Sequence, residues 1–179
     1  MAAEGWIAGA RRVPSPNHDS RPPGAAVALV VLHSISLPRG VYGGDGIERL
    51  FTNRLDPAAH ASFAELAGLR VSSHFLIRRD GALLQFVPLQ RRAWHAGVSR
   101  WRGRERCNDF SVGIELEGTD EGEFETTQYE CLLTLLKELQ QVLALRAVAG
   151  HSDIAPGRKS DPGTRFDWAR FLQQLAHAP

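Results

Sequence analysis

Three residues of one short stretch, His151, Lys159 and Asp161, are of the types that bind metals and move protons. The stretch runs from Gly150 to Gly163 and reads GHSDIAPGRKSDPG. Pro156 and Pro162 each remove a backbone donor and bias the preceding residue away from helix. Gly157 and Gly163 supply backbone conformations that bulkier residues avoid. Loops punctuated in this way carry function more often than packing. A second histidine, His33, ends the apolar run AAVALVVLH, and polar residues at the ends of central strands line sites in open sheets. His33, His151 and Asp161 are thus a candidate metal triad, because a catalytic zinc takes three ligands from His, Asp or Glu and leaves a fourth position for water. Their spacing is long-range and corresponds to no local motif such as H-E-x-x-H. By residue type alone, each histidine is more often a hydrogen-bonded structural group than a ligand.

Glu115 stands in the apolar stretch FSVGIEL. An unpaired carboxylate there costs several kcal/mol or takes up a proton, and a carboxyl with a raised pKa suits general-base work near neutrality. Glu117 alternates with Glu115 and shares its face, so the two compete for the role. Lys159 is either a solvated loop cation or a stabiliser of a developing oxyanion. Trp94, His95 and Trp101 could form an aromatic wall for a sugar or peptide; equally, the two tryptophans are core. His74 reads as structural, and His18, His60 and His177 as surface residues.

The elements that must position these groups follow from pattern. Residues 1–24, rich in Pro, Gly, Arg and Asn, read as an irregular arm. The run from Ala25 to His33 reads as a strand buried on both faces. Residues 38–46, with four glycines and a proline, form a loop that could close as a lid. Asp45 caps a short helix through Phe51, and Pro57 opens a second through Leu69. Val71–Arg78 and Leu83–Pro88 flank the hairpin signal Asp80-Gly81. Arg91–Arg106 is a long connection, and Phe110–Leu116 another strand. Thr127 and Glu130 form a capping box, behind which Leu132, Leu136, Leu139 and Leu143 mark a helix to about Leu145. Asp167 caps a last amphipathic helix. This order predicts one α+β (mixed α/β) domain over residues 1–179, with a central mixed sheet flanked by helices.

Composition narrows the class. A chain of 179 residues with 43% hydrophobic and 23% charged residues is of ordinary globular type. Its net charge of +1, with no basic run interleaved with aromatics, gives nucleic-acid binding no electrostatic support. No window approaches the roughly 20 apolar residues of a membrane span. The first residues lack the pattern of a secretory leader, and Cys107 and Cys131 make no disulfide framework and match no zinc pattern. Free thiols of this kind suit a reducing compartment, so a cytoplasmic location is expected.

Five blocks carry a resemblance: HSISLPRG, VSSHFLIRRDG, RAWHAGVS, GRERCNDFSVGIELEGTD, and GHSDIAPGRKSDPG with FDWARF. Together they resemble the zinc N-acetylmuramoyl-L-alanine amidases, most nearly the cytoplasmic type that recycles cell-wall fragments, over roughly Gly5 to Leu175. The resemblance implies one zinc ion held by His33, His151 and Asp161. It implies Glu115 as the residue that activates water, in preference to Glu117, and Lys159 as the group that stabilises the tetrahedral intermediate. Arg70, Trp94 and Arg106 fall in blocks resembling the substrate-contacting walls. The implied reaction is hydrolysis of the amide joining the lactyl group of muramic acid to L-alanine, in 1,6-anhydro-N-acetylmuramyl peptides. Cationic Arg70 and Arg106 would pair with stem-peptide carboxylates. Two positions depart from the family pattern: Ser34 stands where asparagine is expected, and Ser152 where cysteine is. A muropeptide-binding module without catalysis and an amidase of intact peptidoglycan are the alternative readings; the filled ligand and catalytic positions favour an enzyme.

Overall fold

Apolar, β-branched runs set the centre of the molecule, which a computed structural model describes over residues 5–177. In chain order the strands are β1 (Arg11–Arg12), β2 (His18–Ser20), β3 (Leu29–Ile35), β4 (Phe75–Ile77), β5 (Leu83–Gln85), β6 (Arg91–Ala93), β7 (Arg100–Trp101), β8 (Arg104–Glu105), β9 (Ser111–Glu117) and β10 (Ala147–Gly150). The α-helices are α1 (Gly46–Phe51), α2 (Thr126–Val142), α3 (His151–Ile154) and α4 (Trp168–His177). Six strands make one mixed sheet in the order β1-β5-β4-β9-β3-β10. Only the β4–β5 hairpin, turned at Asp80-Gly81, pairs antiparallel within it. The expected mixed sheet with flanking helices is the observed architecture.

The two faces of the sheet have different tasks, and the two-residue period of a strand sorts side chains between them. Val30 and Leu32 of β3, Val112, Ile114 and Leu116 of β9, and Phe75 and Ile77 of β4 turn to one side. There they meet Leu132, Leu135, Leu136 and Leu139 of α2, and Phe171 of α4. That is the main core. The alternate positions of β3 and β9 carry His33, Ser111, Gly113, Glu115 and Glu117 to the opposite face. Every residue of β9 is buried, so the charges on that face need partners. Glu117 has them: its Oε1 accepts from Arg78 Nη1 at 3.0 Å and from Gly43 N at 2.8 Å, and its Oε2 accepts from Arg79 N at 3.2 Å.

Several expectations are corrected. The arm before residue 24 is not wholly irregular: β1 lies parallel to β5 at the sheet edge, and β2 pairs antiparallel with β6. No α-helix runs from Pro57 to Leu69; a 3-10 turn spans Ala61–Leu66, where Phe63 alone is buried and offers too little apolar face for a longer helix. Asp45 occupies the first cap of α1, but its carboxylate pairs with Arg49 instead of capping. The capping box of α2 is Glu125 with Gln128, because the Thr127 hydroxyl is spent on the Arg79 carbonyl at 2.7 Å. That helix stops at Val142. The Arg91–Arg106 connection contains β6, β7 and β8. Asp167 does cap the last helix, accepting from Arg170 N at 2.9 Å.

Two stability outcomes follow. Leu132→Ala empties a fully buried position between α2 and the sheet and is expected to cost about 2–5 kcal/mol, read from the urea midpoint. Glu117→Gln keeps the shape but removes the charge facing Arg78, with an expected loss of about 1–3 kcal/mol in the same titration.

Candidate metal and catalytic site

Parallel strands deliver their last residues to one edge of the sheet, and ligands of open α/β sheets bind beyond those carboxyl ends. His33 lies near the end of β3, in register with Glu115 of β9. On the other side of β3, β10 pairs Gly150 with Leu32, so His151, the next residue, emerges beside His33 as the first residue of α3. The loop after α3 then brings Asp161 back to both. Ser152 N donates to the Asp161 carbonyl at 2.9 Å. Gly163 (φ +102°) lets the chain pass so close to Asp120 that an added Cβ would stand 2.0 Å from that residue's carbonyl oxygen. Only glycine fits such a position.

The three side chains converge. His33 Nδ1 lies 3.0 Å from His151 Nδ1 and 3.1 Å from Asp161 Oδ2, and His151 Nδ1 lies 3.1 Å from the same oxygen. Both histidines are buried and Asp161 is half-buried. The outer ring nitrogens are engaged as well: His151 Nε2 faces the Ala96 carbonyl at 3.2 Å and His33 Nε2 faces His95 Nδ1 at 2.9 Å. A carbonyl only accepts, so His151 holds a proton on Nε2, and the ring's neutral form leaves Nδ1 bare. Two imidazole nitrogens and a carboxylate oxygen facing one another form a donor set that a cation satisfies. Ligands about 2.0–2.1 Å from a tetrahedral ion stand roughly 3.3 Å apart, close to the spacing here. The residues fit a divalent metal.

Burial lowers the His33 pKa to about 4 despite its contact with Asp161, so the ring is neutral at ordinary pH. Glu115 is pushed the other way: burial and the charge of Asp161 raise its pKa well above the ordinary value, against a smaller pull from Lys159. Among the described residues Glu115 forms no hydrogen bond through its side chain, whereas Glu117 is consumed by Arg78 and two backbone amides. That difference separates the two glutamates.

Lys159 is exposed and lines a cleft of about 530 Å³ with Ser34, Leu66, Thr119 and Asp161. The 38–46 loop borders it, tied by Arg39 to Asp120 at 2.7 Å, and Ser160 donates to the same carboxylate at 2.6 Å. Arg106 lines a neighbouring depression with Gly97, Val98 and Arg158. Arg70 is exposed and Trp94 half-buried, and neither lines these two hollows. His74 is structural as expected: its Nδ1 accepts from Gly113 N, its Nε2 faces the Arg91 carbonyl, and burial lowers its pKa to about 3. His60 is exposed, but His18 is half-buried in β2 and accepts from Arg91. The side chain of His177 lies outside the described residues. His95 is the residue that sequence reading misplaced: it is packed against His33, with Trp94 and Trp101 half-buried elsewhere along the connection. No local signal could have found it, since its partner is 62 positions away.

Comparison with known proteins identifies the family and supports the fold. Residues 23–164 match the family model described as N-acetylmuramoyl-L-alanine amidase. The 1,6-anhydro-N-acetylmuramyl-L-alanine amidase AmpD of Escherichia coli is 56% identical over 173 residues, covering 96% of this chain and 94% of that protein. A crystal structure of a selenomethionine AmpD derivative superposes with a TM-score of 0.93 at 53% identity, covering 98% of this chain and 99% of the other. A complex of the E. coli amidase AmiD with the substrate anhydro-N-acetylmuramic acid-L-Ala-D-gamma-Glu-L-Lys superposes with a TM-score of 0.61 at 31% identity, over 86% of this chain and 60% of that one. The chain is therefore an enzyme of the N-acetylmuramoyl-L-alanine amidase family.

Proposed function

We propose that this amidase uses one zinc ion held by His33, His151 and Asp161 to hydrolyse the amide between the lactyl group of 1,6-anhydro-N-acetylmuramic acid and L-alanine in muropeptides. The convergence of His33 Nδ1, His151 Nδ1 and Asp161 Oδ2 within 3.1 Å carries the reading. A bound zinc would supply water of lowered pKa and polarise the amide carbonyl. Glu115, in register with His33 and free of other partners, takes the proton of the attacking water and passes it to the leaving nitrogen. Burial, which raises its pKa, favours its taking up that proton. Lys159 donates to the carbonyl oxygen as negative charge grows on it. The name of the E. coli AmpD relative and the ligand in the AmiD complex support the anhydromuropeptide as substrate.

Arg70 and Arg106 are assigned to the stem-peptide carboxylates and Trp94 to the wall of the site. The 38–46 loop is assigned the role of closing over bound substrate. The whole chain, 1–179, is read as one catalytic domain. Unpaired Cys107 and Cys131 support work in the reducing cytoplasm, and among the described residues no helix is long and apolar enough to cross a membrane.

Mass spectrometry of anhydromuramyl-tripeptide incubated with the purified protein tests the reading. Free tripeptide is expected, its release abolished by a chelator and restored by zinc; intact substrate with folded, zinc-loaded protein would overturn it. Glu115→Gln is expected to keep zinc and lose about 10²–10⁴-fold in turnover. A variant that keeps wild-type turnover would remove Glu115 from the proton transfer.

A further inference from the structure

The proton positions behind His33 can be worked out from atoms that have no choice. Ser111 Oγ donates to the Cys107 carbonyl at 2.6 Å. A hydroxyl has one proton, so toward His95 Nε2, 3.2 Å away, Ser111 must accept. His95 therefore carries its proton on Nε2, and its neutral ring presents a bare Nδ1. That nitrogen lies 2.9 Å from His33 Nε2, which must then hold the proton between them. With its proton there, His33 has a lone pair on Nδ1, the atom that faces His151 and Asp161.

We propose that His95 is a positioning residue that, through Ser111, fixes the tautomer of His33 and so raises the metal affinity of the site. The inference rests on the metal reading above and adds to it a residue that touches neither metal nor substrate. Two further features hold His95 in place. Asn108 Oδ1 accepts from the backbone N–H groups of His95 and Ala96 at 3.2 and 2.9 Å, pinning this short segment. The same segment serves the second imidazole, since the Ala96 carbonyl takes the His151 Nε2 proton. Gly113 supplies the floor: a Cβ there would stand 2.6 Å from His95 Cγ and 2.7 Å from Ser73 Oγ. Ser111 and Gly113 are alternate residues of β9, on the face that carries Glu115, so one strand both seats the relay and bears the proposed base.

The outer proton of a metal-binding histidine commonly goes to a carboxylate or carbonyl, and loss of such a partner weakens metal binding about 10–100-fold. Zinc affinity of the full chain, measured by chelator competition, is the first readout. A wild-type chain that takes up no zinc contradicts the metal reading itself, and this inference with it. With wild-type binding established, His95→Leu is expected to lose about 10–100-fold in affinity. His95→Asn, whose side-chain oxygen can accept from His33, should recover most of that loss. Ser111→Ala, which removes only the hydroxyl, should fall at the low end of the range. Nitrogen-15 NMR of the metal-free wild type is the second readout, with both rings expected protonated at Nε2 and bare at Nδ1. A proton on His33 Nδ1, or His95→Leu binding zinc as tightly as wild type, overturns the proposal while leaving the metal site intact. Should His95→Leu fail to fold, the NMR spectrum and Ser111→Ala decide the question.

Discussion

The parallel register of Leu29–Ile35 against Ser111–Glu117 is the constraint on which the site depends. It sets His33 directly beside Glu115, two side chains on one face at the carboxyl end of the sheet. A slip of one residue would turn His33 or Glu115 into the leucine-lined core on the opposite face. The same strand then meets its other neighbour with Gly150 opposite Leu32, so that His151 can begin only where His33 ends. Two of the three proposed ligands and the proposed base are therefore placed by backbone pairing. Only Asp161 depends on a loop, and that loop is stiffened by proline and by the tight approach of Gly163 to Asp120.

This arrangement loads one sheet face with polar groups that burial would otherwise penalise. The molecule resolves the difficulty in two ways. Glu117 is neutralised by Arg78, which also reaches Glu48 at 2.8 Å, and by two amides, a fully satisfied cluster. Glu115, His33, His151 and Asp161 are not satisfied by one another to the same degree: a base without partners sits beside three acceptor atoms. Functional sites are where a fold tolerates such local conflict. The apolar face, packed against the leucines of Thr126–Val142, supplies the stability that makes it tolerable.

How much of this could be read in advance follows from the range of the interactions. His33 was legible because a polar residue ends an apolar run, and the Gly150–Gly163 loop because glycine and proline act locally. Glu115 stood out as a carboxylate in an apolar strand, but choosing it over Glu117 by residue type was impossible: the choice lies with Arg78, on a different strand end. The cap of the long helix was misread by two residues because the Thr127 hydroxyl has a distant partner in Arg79. Within the first 24 residues, the short strands Arg11–Arg12 and His18–Ser20 carry no periodicity and exist only through their partners. His95 was out of reach for the same reason, being tied to residues on two separate strands.

Zinc-edge X-ray absorption of the protein as purified tests the central claim most directly. The account requires one zinc per chain with two imidazoles and nitrogen or oxygen donors completing the shell, at about 2.0–2.1 Å. A sulfur shell near 2.3 Å, or a signal with no imidazole scattering, would place the metal elsewhere and contradict the account.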